Sequence, residues 1–373
     1  MDEIKLSKDE TIYLFDLLYN FYNNINDIED YYIIRKKERV INLDINKYKE
    51  NLFNDFNISP NDLDISIEII DEKTFNEVVQ SIVSIPLETQ IGRRLNILVK
   101  DNTTGKWLGF IRICSPIAHI KPRTELLGDK LDLQKVNNHI FCGSVIVPIQ
   151  PFGYNYLGGK LLALICLSNE IREMFNDKYK SDIVLFETTS LYGDLKQSSQ
   201  YDGLEPYIKK GGKTSADMLL FPNDDVYFPF RNLLRKYYGQ EKWNGSIATN
   251  TSGPKSREFT KGLQLLTLHI KLYYPELLGE LDTLKLKIKV KSKKNYYYSK
   301  LVFDNSFNVM TKGDNVIVKD KQKFDLSSLV IKWKSKSEKR WNKLKKEDKL
   351  KNNLELYTTE VLNNKLDFGI VNR

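Results

Sequence analysis

The sequence predicts a mixed α+β or α/β protein, with a central mixed β-sheet flanked by helices. Three observations predict it. Four apolar, strand-like segments crowd between residues 93 and 193, and one stretch of helical spacing interrupts them. The first 88 residues carry helical stripes and no strand of comparable strength. The final 93 residues turn strongly basic. Strands that alternate with a helix place the body of the domain in a layered α/β architecture. The expected organisation is a helical N-terminal region (1–88), a core domain (89–280) and a basic C-terminal region (281–373).

The elements follow in order. Ser7 caps "SKDETIYLFDLLYNFYNN", and Glu10 three residues on completes a capping box. Ile12, Leu14, Phe15, Leu18 and Tyr19 form the expected apolar stripe. "DIEDYYIIRKKERV" and "DEKTFNEVVQSIVS" read as further helices. "RRLNILVKD", a turn at Asn102–Lys106 and "WLGFIRICSP" read as strand, hairpin turn and strand. "HIFCGSVIVPIQ" is a further strand. It runs into "PFGYNYLGGKLLALICLSNEI", where two glycines open a helix, and "SDIVLFETTSLYG" follows as another strand. Beyond it lie an ordered loop, "SQYDGLEPYIKKGGKTSADM", and two helices, "DDVYFPFRNLLRKYYG" and "SREFTKGLQLLTLHIKLYY". "LKLKIKVKSKK" alternates Leu284, Leu286, Ile288 and Val290 with Lys285, Lys287, Lys289 and Lys291. That period of two predicts a half-buried strand with a lysine face. "LVIKWKSKSEKRWNKLKKEDKLKNN" ends the basic part and contains a helix.

Composition narrows the function classes. The chain has 373 residues, 41% hydrophobic and 12% aromatic, enough for a sizeable core. No run of 18 apolar residues predicts a membrane span. The acidic, mixed start is unlike a secretory signal. Three widely spaced cysteines (Cys114, Cys142, Cys166) suit a reducing compartment without a disulfide framework, so a cytoplasmic location is expected. The net charge of +8 is uneven. Residues 281–351 hold 21 basic against 8 acidic residues, a net +13, while residues 1–280 sum to −4. Such asymmetry points to a polyanionic partner, a nucleic acid, more often than to a small-molecule substrate. A merely solvated lysine surface is the competing explanation.

Four groups of residues are candidates for chemistry. A strand that enters a helix through glycines presents backbone N–H groups to an anion. Tyr154, Asn155, Tyr156, Gly158, Gly159 and Lys160 are therefore candidates to hold a phosphate-bearing cofactor, although neither the Walker A nor the G-x-G-x-x-G pattern is present. The same glycines also serve a plain turn. "ETTSLYGDLKQSSQYDG" supplies Glu187 as a candidate general base, Tyr192 as an acid and Ser190 as a hydrogen-bonding partner. Equally, those hydroxyls suit local backbone satisfaction. Arg123, after a strand in "SPIAHIKPRTE", can hold a phosphate. In the basic part, Lys285, Lys287, Lys289 and Lys291 would contact phosphates, and Tyr296, Tyr297, Tyr298, Trp333 and Trp341 would stack on bases. The alternative is that the aromatic residues pack a small core. His139 and Cys142 lack a second ligand pair, so no metal site is expected.

The stretch around Gln150, Gly153 and Gly158 resembles the acyl-CoA pyrophosphate loop of GNAT acyltransferases, with Asn155 and Lys160 departing from that pattern. Over residues 86–225, "IGRRLNILVKD…GKWLGFIRICSP", "FGYNYLGGKLLAL" and "ETTSLYG" together resemble the family of the Druantia anti-phage component A. That group is similar to the phage Mom protein, which modifies adenine in DNA. The resemblance implies a GNAT-like scaffold, an acyl-CoA or other donor, DNA as partner, and a Mom-like transfer of a small group to a base. It equally accommodates a non-catalytic DNA-binding protein of a phage or defence system on the same scaffold, or an acyltransferase acting on a small amine or protein.

Overall fold

The computed structural model describes residues 6–87, 92–128, 131–190, 198–238 and 254–363. The helices are α1 (Lys8–Tyr22), α2 (Ile28–Val40), α3 (Asn46–Lys49), α4 (Glu72–Ile82), α5 (Lys121–Leu127), α6 (Leu133–His139), α7 (Phe152–Tyr156), α8 (Gly158–Ile165), α9 (Asn169–Tyr179), α10 (Asp224–Tyr238), α11 (Pro254–Tyr273), α12 (Leu278–Ile288), α13 (Ser306–Lys312), α14 (Leu326–Lys346) and α15 (Thr359–Asn363). The strands are β1 (Ile65–Ile69), β2 (Arg94–Asp101), β3 (Trp107–Cys114), β4 (Ile140–Pro148), β5 (Leu185–Ser190), β6 (Lys209–Leu219) and β7 (Lys289–Ser299).

The chain folds into two compact units. One comprises residues 1–38 with 216–292, the other residues 39–215 with 293–373. The boundary expected at 88 falls inside the second unit and that at 280 inside the first. The chain thus builds each unit from segments distant in sequence, an arrangement that composition along the chain does not disclose.

In the helical unit, the capping box forms as the sequence predicts. Glu10 N–H donates to Ser7 Oγ at 3.1 Å and Ser7 N–H donates to Glu10 Oε2 at 3.0 Å. The buried stripe of α1 is rotated from the expected one: Leu14, Phe15, Leu18 and Tyr22 are buried, whereas Tyr19 is exposed. Burial of Tyr22 is offset by its hydroxyl, which donates to Leu220 O at 2.5 Å. His269 is buried and accepts from Leu6 N–H at Nε2.

A seven-stranded mixed sheet has the order β1-β2-β3-β4-β5-β7-β6, and β1 to β5 lie wholly within the other unit. β1 to β4 are antiparallel neighbours, β4 and β5 are parallel, and β5 and β7 are antiparallel. The β2–β3 hairpin owes its turn to Asp101, whose carboxylate accepts from Asp64 N–H at 2.7 Å and from both the N–H and the hydroxyl of Thr104. A parallel β4/β5 pair requires a crossover, and α7, α8 and α9 supply it. Successive strand residues point to opposite faces. One face carries Leu95, Ile97, Val99, Ile111 and Ile113 into the core with Leu161, Leu162 and Ile165 of α8. The other carries Leu98, Phe110 and Val145 against Phe75, Val78, Val79 and Ile82 of α4.

Candidate nucleic-acid interface and adjoining cleft

The strand-end residues come first. In the β5/β7 register Glu187 lies opposite Tyr298, Thr188 opposite Tyr297 and Ser190 opposite Asn295. Glu187 therefore lies on one face of the sheet and Thr188 and Ser190 on the other. Glu187 is buried, with both carboxylate oxygens engaged: Arg123 Nη1 donates to Oε1 at 2.9 Å and the Tyr296 hydroxyl donates to Oε2 at 3.0 Å. Arg123 is itself buried and spends its other donors on Ile117 O and Ala118 O. Burial raises the Glu187 carboxyl above its ordinary range, and Arg123 and Tyr296 pull against that rise. The structure thus joins two residues that the sequence offers separately, one as a base and one as a phosphate ligand, into a buried ion pair. Cys142 pairs with Glu187 across β4/β5 and with Cys114 across β3/β4. Ser190 is buried. Tyr192, the expected acid, lies outside the described residues.

The glycine loop is closed by the protein itself. Leu157, with a φ of 56°, ends α7 and leads directly into α8. A Cβ on Gly158 would meet the Phe152 ring at 2.6 Å and Pro148 at 3.0 Å, and one on Gly159 would meet the Gln200 side chain. The polar neighbours are engaged as well. Asn155 donates to Lys351 O at 2.8 Å and accepts from Lys351 N–H at 3.1 Å. The Tyr156 hydroxyl donates to Ile58 O, and Lys160 Nζ donates to Asp202 O. Arg340 and Lys351 lie 4.8 and 5.0 Å from the Tyr154 ring centroid. These six residues, expected to cradle a cofactor phosphate, instead lock α7 and α8 to their neighbours. The side chains of Phe152, Pro148 and Gln200 approach these glycines closely.

The basic part departs furthest from the expectation. "LKLKIKVKSKK" is not one strand: residues to Ile288 end α12, and β7 begins at Lys289. Leu281, Leu284 and Ile288 are buried at helical spacing while Leu286 is 77% exposed, so helical packing outweighs the period-two pattern. Lys285 pairs with Asp282 at 2.9 Å and Lys287 donates to Asn23 O at 2.9 Å. Lys289 is exposed on β7, and the side chain of Lys291 lies outside the described residues. No common lysine face results. Trp333 and Trp341, expected to stack on bases, are 1% and 5% exposed. Their indole N–H groups donate to Tyr156 O at 2.9 Å and Phe56 O at 3.0 Å. They are the anchors of α14.

Those anchors create a basic face that the sequence pattern did not single out. Leu329, Val330, Trp333, Ser337, Trp341 and Leu344 are buried along one side of α14. Lys332, Lys336, Lys339, Lys343 and Lys346 are exposed along the other, at spacings of 4, 3, 4 and 3 residues. Such spacing keeps them on one side of the helix, over a length of about 21 Å at ~1.5 Å per residue. The helix carries eight basic residues and one acidic one, Glu338. Ser59 donates to Glu338 at 2.9 Å. Of the five outward lysines, Lys343 lies 3.9 Å from Glu347 and Lys336 Nζ donates to Gly203 O at 2.7 Å.

Gly203 belongs to the rim of a cleft of about 270 Å³, lined by Tyr201, Asp202, Gly203, Glu205, Ile208, Lys210 and Tyr297. The Tyr297 hydroxyl donates to Asp202 Oδ1 at 2.8 Å, and Ser199 N–H donates to Oδ2 at 2.7 Å. Burial, followed by this bond to Asp202, pushes the Tyr297 phenol up to about 12. The sequence marks the loop that contains Tyr201 to Lys210 by its Tyr and Gly content, and Tyr297 as a residue able to stack on a base. Tyr297 arrives from β7, almost 100 residues away.

Comparison with known proteins places this geometry beside one family. Residues 20–201 match the family model described as Druantia protein DruA. A curated Druantia protein DruA from Escherichia coli (strain UMEA 4076-1) is 27% identical over 169 residues, which cover 41% of this chain and 41% of that protein. The chain thus matches about two-fifths of the length of this relative. No solved structure matches. The DruA match begins earlier than the expected residue 86, inside α1, and ends at Tyr201. It takes in Arg123, the 154–160 loop and Glu187, and leaves out β7 and α14.

Proposed function

We propose that the chain binds nucleic acid through the outward face of α14, as part of an anti-phage defence system of the Druantia kind. One observation carries the reading. Five lysines share an exposed stripe about 21 Å long, on a helix whose buried tryptophans fix its orientation. A row of ammonium groups on a rigid helix matches the phosphate backbone in charge and recognises no sequence by itself. Similarity to DruA supports the defence context.

The transfer chemistry implied by the GNAT-like and Mom-like resemblance has narrower support. The antiparallel β2-β3-β4 run followed by a parallel β4/β5 pair suits a GNAT-like scaffold. An acyl-CoA donor at the loop has little support, since Phe152, Pro148 and Gln200 crowd the Cβ side of Gly158 and Gly159. Glu187 as a base would have to give up Arg123. The reading favoured here is therefore binding on a GNAT-like scaffold.

The test is a comparison of two charge-neutralised variants by fluorescence anisotropy on duplex DNA. Lys332, Lys339, Lys343 and Lys346 are replaced by Gln in one, and Lys285, Lys287 and Lys289 in the other. The first should lose at least about tenfold in affinity and the second stay within about twofold of the native chain. The reverse ranking would move the interface to the helical unit and sink the reading.

A further inference from the structure

We infer that the Tyr201–Tyr297 cleft takes one unpaired base of the strand held by α14, a base that bears an exocyclic amine. The inference rests on the nucleic-acid reading and adds a ligand class to it. The cleft is joined to the basic helix by direct bonds. Lys336 of the outward stripe donates to Gly203 O, and Lys160 of α8 donates to Asp202 O, so both lysines grip the turn that forms the cleft rim. A strand that follows the lysines therefore passes the opening.

The size and lining of the cleft select the ligand. About 270 Å³ is just under the ~300 Å³ at which pockets begin to hold drug-sized molecules, so a base fits and a dinucleotide cofactor does not. Tyr201 and Tyr297, both buried, are among its lining residues, and their ring centroids lie 5.0 Å apart at an interplanar angle of 49°. Its fixed polar groups are mainly acceptors. Asp202 is held by Tyr297 and Ser199, one bond to each oxygen, which leaves further lone pairs on both. Glu205 stands exposed at the rim. Carboxylates accept from the exocyclic amine of cytosine and equally from that of adenine, whereas thymine offers no amine. Lys210, also exposed in the lining, supplies the cation for the phosphate of the same nucleotide.

A second feature adjoins the cleft. Asn295, two residues before Tyr297 on the same face of β7, is 1% exposed. Its carboxamide lies beside the Tyr297 phenol and pulls its pKa down, against burial and Asp202.

The test is anisotropy at low salt with single-stranded homopolymers of about 12 nucleotides, within the usual span of a single-strand site. The native chain should bind oligo-dA and oligo-dC about fivefold or more tighter than oligo-dT, the discrimination of one good base contact. Glu205→Ala should remove that preference, and Lys210→Ala should weaken all three alike. Both residues are exposed, so neither change endangers the fold. Equal native affinity for the three strands, or a preference that survives Glu205→Ala, would overturn the base site while leaving α14 as the backbone grip. Absence of binding to every strand and to duplex DNA would overturn both.

Discussion

The Arg123–Glu187 pair lends itself to a double-mutant cycle. The two side chains are 4% and 3% exposed and meet at 2.9 Å. Removing one partner of such a pair leaves a buried charge uncompensated and costs ~3–5 kcal/mol. Glu187→Gln preserves shape and one hydrogen-bonding oxygen, so it should fall at the lower end. Arg123→Met also strands Ile117 O and Ala118 O, which should place it at the upper end. The double variant removes both charges, and its cost should fall short of the sum by ~2 kcal/mol or more. Urea denaturation of the four proteins at pH 7 measures each value. The pH dependence of Arg123→Met adds a second readout. Burial already raises the Glu187 carboxyl, and loss of Arg123 raises it further. Above the ordinary value of 4.5 the unfolded chain then ionises this group before the folded chain does. Stability of the variant should fall by ~1.4 kcal/mol per pH unit from there up to the folded pKa. Single variants that each cost under ~1 kcal/mol and add within ~0.5 kcal/mol would refute the reasoning, because the pair would then be neither buried nor coupled.

Two further outcomes follow from local geometry. Gly158→Ala should destabilise by ~1–3 kcal/mol in the same assay, since its methyl group would press on the Phe152 ring and Pro148; unchanged stability would mean that the loop has room to spare. Lys36 of α2 is buried, and desolvation lowers its amine to about 7. A depressed lysine destabilises the fold as pH falls from the unfolded value of 10.5 towards 7. Lys36→Met should therefore flatten the rise in stability between pH 7 and 10, and an unaltered slope would place the titration elsewhere.

Strands β2 to β5 were legible in the sequence as local patterns, whereas β1 lies in the region expected to be helical and β6 in the segment expected to be a loop. The β2–β3 hairpin announced itself through "NTTGK", and the strand–helix–strand passage from β4 to β5 through its apolar runs. The seventh strand was half misread. Alternation in "LKLKIKVKSKK" satisfies a strand and a helix equally over so short a run, and tertiary packing of Leu281, Leu284 and Ile288 decided for the helix up to Lys289. The functional residues were harder to read, because their meaning depends on partners distant in sequence. Nothing in "ETTSLYG" reveals that Arg123, 64 residues earlier, neutralises Glu187. Nor does "IKWKSKSEKRW" reveal which side of its helix faces water. The lysine and tryptophan spacings are both helical, and the burial of Trp333 and Trp341 resolves them into an inner face and an outer one. The excess of positive charge was legible within residues 281–351; which of its lysines share one face was not.

The measurement that bears most directly on the account is the salt dependence of duplex DNA binding by the native chain. Each phosphate neutralised by a lysine lowers the slope of log affinity against log salt by ~0.9 on duplex DNA. Contacts from the five outward lysines of α14 predict a slope of about −4 to −5. A slope near zero, or no binding even at low salt, would show that the lysine face is solvated surface and contradict the account.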